Sequence, residues 1–233
     1  MSALAENPLI QDTLNETLPH EESVQGKAIW GDNPNVLTQV YQQDTNMVIW
    51  QRHLQASLQP SIDAFIKQKK HFKTSLIVEP EAAFESIHHA LGQGDETIEL
   101  SQNMAELVEM FCCLFDLKRA GLRLAILDSA MCPRFHVDRV PCRLVTTYKG
   151  CATQWLPHDK INRSALGIRA VKDTQDQAGL YQAQSDIEQL QQGEVALLKG
   201  ELWLGNENAG LVHRSPQLEA GEKRLLLTLD FMD

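Results

Sequence analysis

The sequence predicts an α+β fold in which a helical and mixed N-terminal region supports a β-sandwich or barrel of short strands. Three observations predict it. The hydrophobic period is close to 3.6 up to Gly121 and strand-like after it, the later apolar runs are broken by Gly, Pro and Asn, and 233 residues at 43% hydrophobic and 22% charged suffice for one sizeable core.

Residues 1–25 hold five acidic residues, no Lys or Arg and no sustained period, which predicts a flexible acidic tail. Residues 26–121 form the support region. Within it, 47–50 reads as a strand, 54–69 as a helix with Leu58, Ile62, Phe65 and Ile66 at helical spacing and Pro60 near its start, 75–78 as a strand, and 80–91 as a helix opened by Pro80. A further helix opens on Asn103-x-x-Glu106, a variant capping box. It carries the stripe Leu107, Met110, Phe111, Leu114 and Leu117, places Lys118 and Arg119 at its C-terminal end, and closes at Gly121. Cys112 and Cys113 on it read as packing residues.

Residues 122–233 hold the β core, with strands expected at 122–127, 143–148, 153–156, 195–198, 210–213 and 224–231. A glutamine-rich insertion over 158–192 is too long for a hairpin turn, and its length suits a lid or binding loop.

Composition narrows the function. With 21 basic and 31 acidic residues the formal charge is −10, which argues against a nucleic-acid surface, because phosphate contacts need clustered Lys and Arg. No apolar run approaches the roughly 20 residues that span a bilayer, and no secretory signal opens the chain, so the expected location is the cytoplasm. Five cysteines, an odd number, do not resemble a disulfide framework.

The chemistry-bearing pattern is His136-Val137-Asp138, followed by His213 and then Arg224. On a strand, residues i and i+2 share a side, so His136 and Asp138 can reach one metal while Val137 packs the other way. His213, in a short apolar run ended by Pro216, supplies a third ligand from a distant strand. Two imidazoles and a carboxylate on one face of an octahedral iron leave three positions open. With 8 His and 14 Asp in 233 residues, chance alone supplies about half a His-x-Asp triplet, so the triplet draws its weight from its surroundings.

Those surroundings resemble the iron(II)- and 2-oxoglutarate-dependent dioxygenases, particularly the prolyl-hydroxylase-like branch built on a double-stranded β-helix, a jelly-roll or cupin-like barrel. Arg143-Leu144-Val145-Thr146-Thr147-Tyr148 resembles the family strand that ends in a tyrosine touching the co-substrate. Gly150-Cys151-Ala152-Thr153-Gln154-Trp155 is similar to its Gly-Gly-x-Thr-x-Phe turn, with the second glycine absent. Residues 193–198 resemble the strand leading back to the site, and Arg224-Leu225-Leu226-Leu227-Thr228 the final strand. The resemblance implies iron(II) held by His136, Asp138 and His213, and 2-oxoglutarate gripped by Arg224 with Tyr148 and Thr228 assisting. Arg224 and Thr228 share a face by period two, and a guanidinium suits a desolvated carboxylate because it offers a bidentate fork. More narrowly, residues 131–136 and 212–216 resemble an uncharacterised bacterial family of unknown function.

The expected activity is therefore oxygenation of an unidentified small-molecule or protein substrate. The alternative is a non-catalytic, cupin-like zinc-binding protein of bacterial metal homeostasis, with other metal-handling proteins as partners; zinc suits the same three ligands plus water. A third possibility is a degenerate barrel that only binds protein. A rival zinc set, Cys132, His136, Cys142 and Cys151, lacks the paired C-x-x-C spacing of structural sites. Arg214 reads either as an anion-orienting residue or as a structural one. Trp155 and Trp203 read as core, His158 as a solvated residue with Asp159, and His88 and His89 as surface positions on a helix.

Overall fold

The computed structural model describes residues 26–167 and 179–232, so the predicted acidic tail and residues 168–178 of the polar insertion lie outside the described residues. The elements, in chain order, are β1 (Lys27–Gly31), β2 (Thr45–Trp50), α1 (Leu58–Gln68), β3 (Phe72–Val78), α2 (Ala83–Leu91), α3 (Ile98–Phe115), β4 (Ala120–Leu127), β5 (Cys142–Lys149), β6 (Gln154–Leu156), β7 (Glu188–Gln189), β8 (Val195–Lys199), β9 (Val212–Arg214) and β10 (Arg224–Phe231), with short 3-10 turns between them.

Seven strands form one mixed sheet in the order β1-β2-β8-β5-β10-β4-β3, and β7-β6-β9 form a second, smaller sheet. The predicted boundary at residue 121 falls inside β4, and the strands of the N-terminal region continue the same sheet as the later ones. Period two divides the large sheet into two faces. Leu144 and Tyr148 of β5, Leu197 of β8 and Leu225, Leu227 and Leu229 of β10 pack with the helices in the larger apolar cluster. Met47, Ile49, Val145, Ala196, Leu198 and Leu226 point the other way and pack with Trp155 and Leu211 between the two sheets.

The third helix departs from the sequence expectation at both ends. It starts at Ile98, because Leu100 and Met104 extend the buried stripe one and a half turns towards the N-terminus, so Asn103 lies inside it. It ends at Phe115, where Asp116 takes the left-handed conformation (φ 53°) and its N–H bonds the Cys112 carbonyl, and Gly121 belongs to β4. The first helix begins at Leu58, which keeps Pro60 in its first turn. Residues 80–91 split into a 3-10 turn and α2, which ends on Gly92 at φ 107°.

Candidate metal centre

His136 and His213 are directly opposed. Each donates its backbone N–H to the other's carbonyl, both at 3.0 Å, forming an isolated antiparallel bridge. Opposed residues in an antiparallel pair project to one side, which brings the two rings to a centroid separation of 4.6 Å. The bridge extends the small sheet, because His213 also pairs with Trp155 of β6.

Asp138 completes the cluster. The ligand atoms of His136, Asp138 and His213 all lie within 4.8 Å of one another. His136 Nδ1 meets the Arg134 carbonyl at 2.9 Å and His213 Nδ1 the Leu211 carbonyl at 3.2 Å. A carbonyl only accepts, so each Nδ1 carries the proton and each Nε2 presents its lone pair to the cluster when the ring is neutral. This outer partner is what a metal-ligating histidine ordinarily has. The Nε2 atoms lie 3.6 Å (His136) and 3.3 Å (His213) from the two oxygens of Asp138. Two imidazoles and one carboxylate fit iron(II) or zinc.

The stretch from Asp138 to Pro141 lies on a close backbone bed. Gly200, Glu201 and Leu202 donate their N–H groups to the carbonyls of Pro141, Asp138 and Val140. A side chain at Gly200 would meet the Val140 carbonyl at 2.1 Å and that of Asp138 at 2.6 Å, so only glycine allows this approach.

Asp138 is fixed from a second direction by Arg143. The guanidinium gives Nη1 to Asp138 Oδ2 at 2.6 Å and forks onto Asp230 through Nε (2.7 Å) and Nη2 (2.9 Å). Burial pushes the Asp138 carboxyl up, but the bond from His213 and the charges of His213, Arg143 and His136 outweigh it and hold it well below the ordinary range. Burial and the charge of His213 lower His136 in turn. Arg143 and Asp230, which brace the Asp138 carboxylate, were not among the sequence candidates, although their signal was present: Arg143 shares the strand parity of Val145 and Thr147 and lies directly opposite Asp230 in the ladder between β5 and β10.

Arg224 lines the same cavity as His136 and His213, at 1% exposure. Its partners are hydroxyls: Thr147 Oγ1 at 3.3 Å from Nε and 3.2 Å from Nη2, Thr153 Oγ1 at 2.8 Å and Ser215 Oγ at 3.5 Å. Among the described residues no carboxylate comes within ion-pair distance of it. Burial brings its guanidinium down to about 10, which leaves it charged at neutral pH. Gly150 allows its strand to pass: φ is 85°, and a side chain there would meet the Lys223 carbonyl at 2.4 Å. That glycine alone makes the turn. Position 151, where the expected second glycine is replaced, places the Cys151 thiol against Glu222 at 3.1 Å.

Thr228 lines the cavity with Arg224, as their shared parity predicts. Tyr148 does not, and this corrects the sequence reading. The site side of β5 is Arg143, Val145 and Thr147, so Tyr148 points into the helical core at 0% exposure and donates to Asn103 Oδ1 at 2.9 Å. Nor do Cys132, His136, Cys142 and Cys151 gather: Cys142 is buried on the helix side, and among the described residues the converging set is His136, Asp138 and His213. Arg214 gives Nε to Gln154 at 2.8 Å and lies 4.4 Å over the Phe135 ring. His158, read as solvated, is half-buried and accepts from Arg163 at 3.2 Å; burial and that charge lower it. Trp155 and Trp203 pack in the two clusters, and His88 rests on the Gly94 carbonyl and Phe84.

The cavity bounded by His136, His213, Val145, Leu198, Arg224, Leu226 and Thr228 measures about 60 Å³. A larger one, about 610 Å³, lies between β1 and Trp155, away from the cluster. Among the described residues no helix is long and apolar enough to cross a membrane.

Among solved structures the fold is similar to that of a rice dioxygenase for auxin oxidation, with a TM-score of 0.50 at 13% identity over 89% of this chain and 83% of that one. A full-length Neurospora crassa protein in complex with alpha-KG and 5-formyluracil gives 0.50 at 11% identity over 87% and 83%. At such identities the likeness speaks to the fold and leaves the reaction open. No curated protein matches the chain. The model of the family described as "Protein of unknown function (DUF1826)" matches residues 31–230, and the chain belongs to that family.

Proposed function

We propose that the two facing sheets form a double-stranded β-helix and that the protein is an iron(II)- and 2-oxoglutarate-dependent oxygenase. One observation carries the reading: a buried, charged Arg224 with only hydroxyl partners opens on the cavity that His136 and His213 share. Arg143, on the same face of the sheet, is neutralised by the carboxylates of Asp138 and Asp230, whereas Arg224 has no carboxylate among the described residues and has a cavity beside it. A site for a dicarboxylate instead leaves the anion to the ligand.

Iron(II) and 2-oxoglutarate would supply oxidative decarboxylation coupled to hydroxylation of a substrate. The protein's own residues set the geometry. Arg143 fixes one oxygen of Asp138 and so orients the other, the two Nδ1–carbonyl bonds fix both imidazoles, and Val145, Leu198 and Leu226 exclude water. Arg224 would fork onto the distal carboxylate, and Thr228 would bond it from the same face. Space for about 60 Å³ holds roughly two waters. Admitting a five-carbon diacid therefore requires the exposed Met131 and Cys132 at its mouth to move outwards.

Anaerobic titration with iron(II) and then 2-oxoglutarate tests the reading. The expected result is a visible charge-transfer band that is lost in Arg224→Ala while iron binding is kept. Tight zinc binding with no band and no succinate would replace this reading with metal homeostasis, and absence of any metal binding would overturn both.

A further inference from the structure

The large sheet extends past the metal cavity, and among the described residues most of its site-facing side there is exposed. The register gives three rows across four strands. Arg143, Asp230, Gly121 and Ile77 form one; Val145, Thr228, Arg123 and Ser75 the next; Thr147, Leu226, Ala125 and Lys73 the third. The β5 and β10 members of the middle row line the cavity, and directly opposed residues share a face. At a strand spacing of about 4.8 Å, the Arg123 backbone lies about 5 Å from that of Thr228 and the Ser75 backbone about 10 Å.

This shelf is exposed and basic. Lys73, Ser75 and Arg123 are exposed, and Ile77 is 57% exposed. Lys73 and Arg123 form no ion pair or side-chain hydrogen bond with a described residue. β3 and β4 together contain no acidic residue, in a chain with 31. β3 is also the sheet's edge, so one side of its backbone has no strand partner within the sheet. The cavity itself is far smaller than the several hundred Å³ that enclose a small-molecule ligand. The co-substrate would take up that space, so the body of a substrate must lie outside it.

We propose that this shelf, with Arg123, Lys73 and Ile77, docks an extended acidic peptide alongside the mouth of the cavity. Carboxylates of the peptide would meet the two cations, and the β3 edge would accept its backbone. The proposal rests on the oxygenase reading for what happens to the docked peptide.

The test uses the full chain loaded anaerobically with iron(II) and 2-oxoglutarate, and fluorescence anisotropy of a labelled alternating Glu–Ala decapeptide. The expected result is binding that weakens at least about tenfold in R123E/K73E and not in K67E, which changes an exposed lysine on α1, while iron binding and the charge-transfer band are unchanged in both variants. Equal binding of a Lys–Ala decapeptide, indifference to the double reversal, or preference for an oligothymidylate would overturn it. Peptide binding that follows the charge reversals without any band would keep the docking surface and overturn the oxygenase reading alone.

Discussion

Two buried cations sit on opposite faces of the large sheet, and neither meets a carboxylate among the described residues. Lys199, at 2% exposure on the helix side, bonds the Gln42 carbonyl at 2.9 Å and lies 4.7 Å over the Trp203 ring. Arg224, on the site side, lies among three hydroxyls and faces a cavity. Burial lowers both, Lys199 to about 8 and Arg224 to about 10. An ammonium can release its proton under mild alkali, while a guanidinium at neutral pH retains its charge and needs an anion. Lys199 is enclosed by a carbonyl and an indole ring, whereas Arg224 has a cavity on one side that an anion could enter.

The contrast can be broken at several points. The largest effect is expected for Arg224→Ala: losing two charge-assisted hydrogen bonds weakens 2-oxoglutarate binding by about 100-fold or more, read from the charge-transfer titration with iron affinity measured alongside. Lys199→Met is expected to do the opposite and stabilise the fold by about 2 kcal/mol at pH 7. Its pH dependence fixes the sign. The unfolded lysine keeps its proton to 10.5 and the folded one only to about 8, so the contribution of Lys199 to stability is flat below pH 8 and rises from there to 10.5. Urea melts of the variant should lack that rise.

Arg224→Lys keeps the charge and loses the fork, and about a tenfold loss of co-substrate affinity is expected, growing as the pH is raised. Smallest is Tyr148→Phe. It removes one buried hydrogen bond, for about 1 kcal/mol in denaturant melts, and should leave the co-substrate titration unchanged. A lost band there would return Tyr148 to the site and erase the distinction between the two faces.

Much of the fold was legible because period and punctuation were strong: residues 224–231 and 195–198 were read within one residue of β10 and β8. The convergence of His136, Asp138 and His213 was legible only from the company of the triplet: i, i+2 spacing puts His136 and Asp138 on one side, and the resemblance of the surrounding strands to a dioxygenase barrel brings in His213. Parity in β5 was not, because Leu144 to Tyr148 is buried on both faces and shows no alternation. Only the charged residue at its start, Arg143, marks the site side. The hydroxyls around Arg224 come from a strand, a turn and the residue after β9, so no local pattern links Thr147, Thr153 and Ser215. β1 escaped notice because its five residues are half-exposed and pair parallel to β2, with no hairpin signal between them.

The reciprocal backbone bridge between His136 and His213 gives the site a mechanical property. Two segments far apart in sequence meet there through these two amides and a third, from Ser215 to the Cys132 carbonyl at 2.9 Å, and an ion held by both side chains would close that meeting like a clasp. Loading should then slow amide exchange at these two positions far more than in the helices, where packing already sets the opening rate. The metal's presence could be followed through this seam without any substrate.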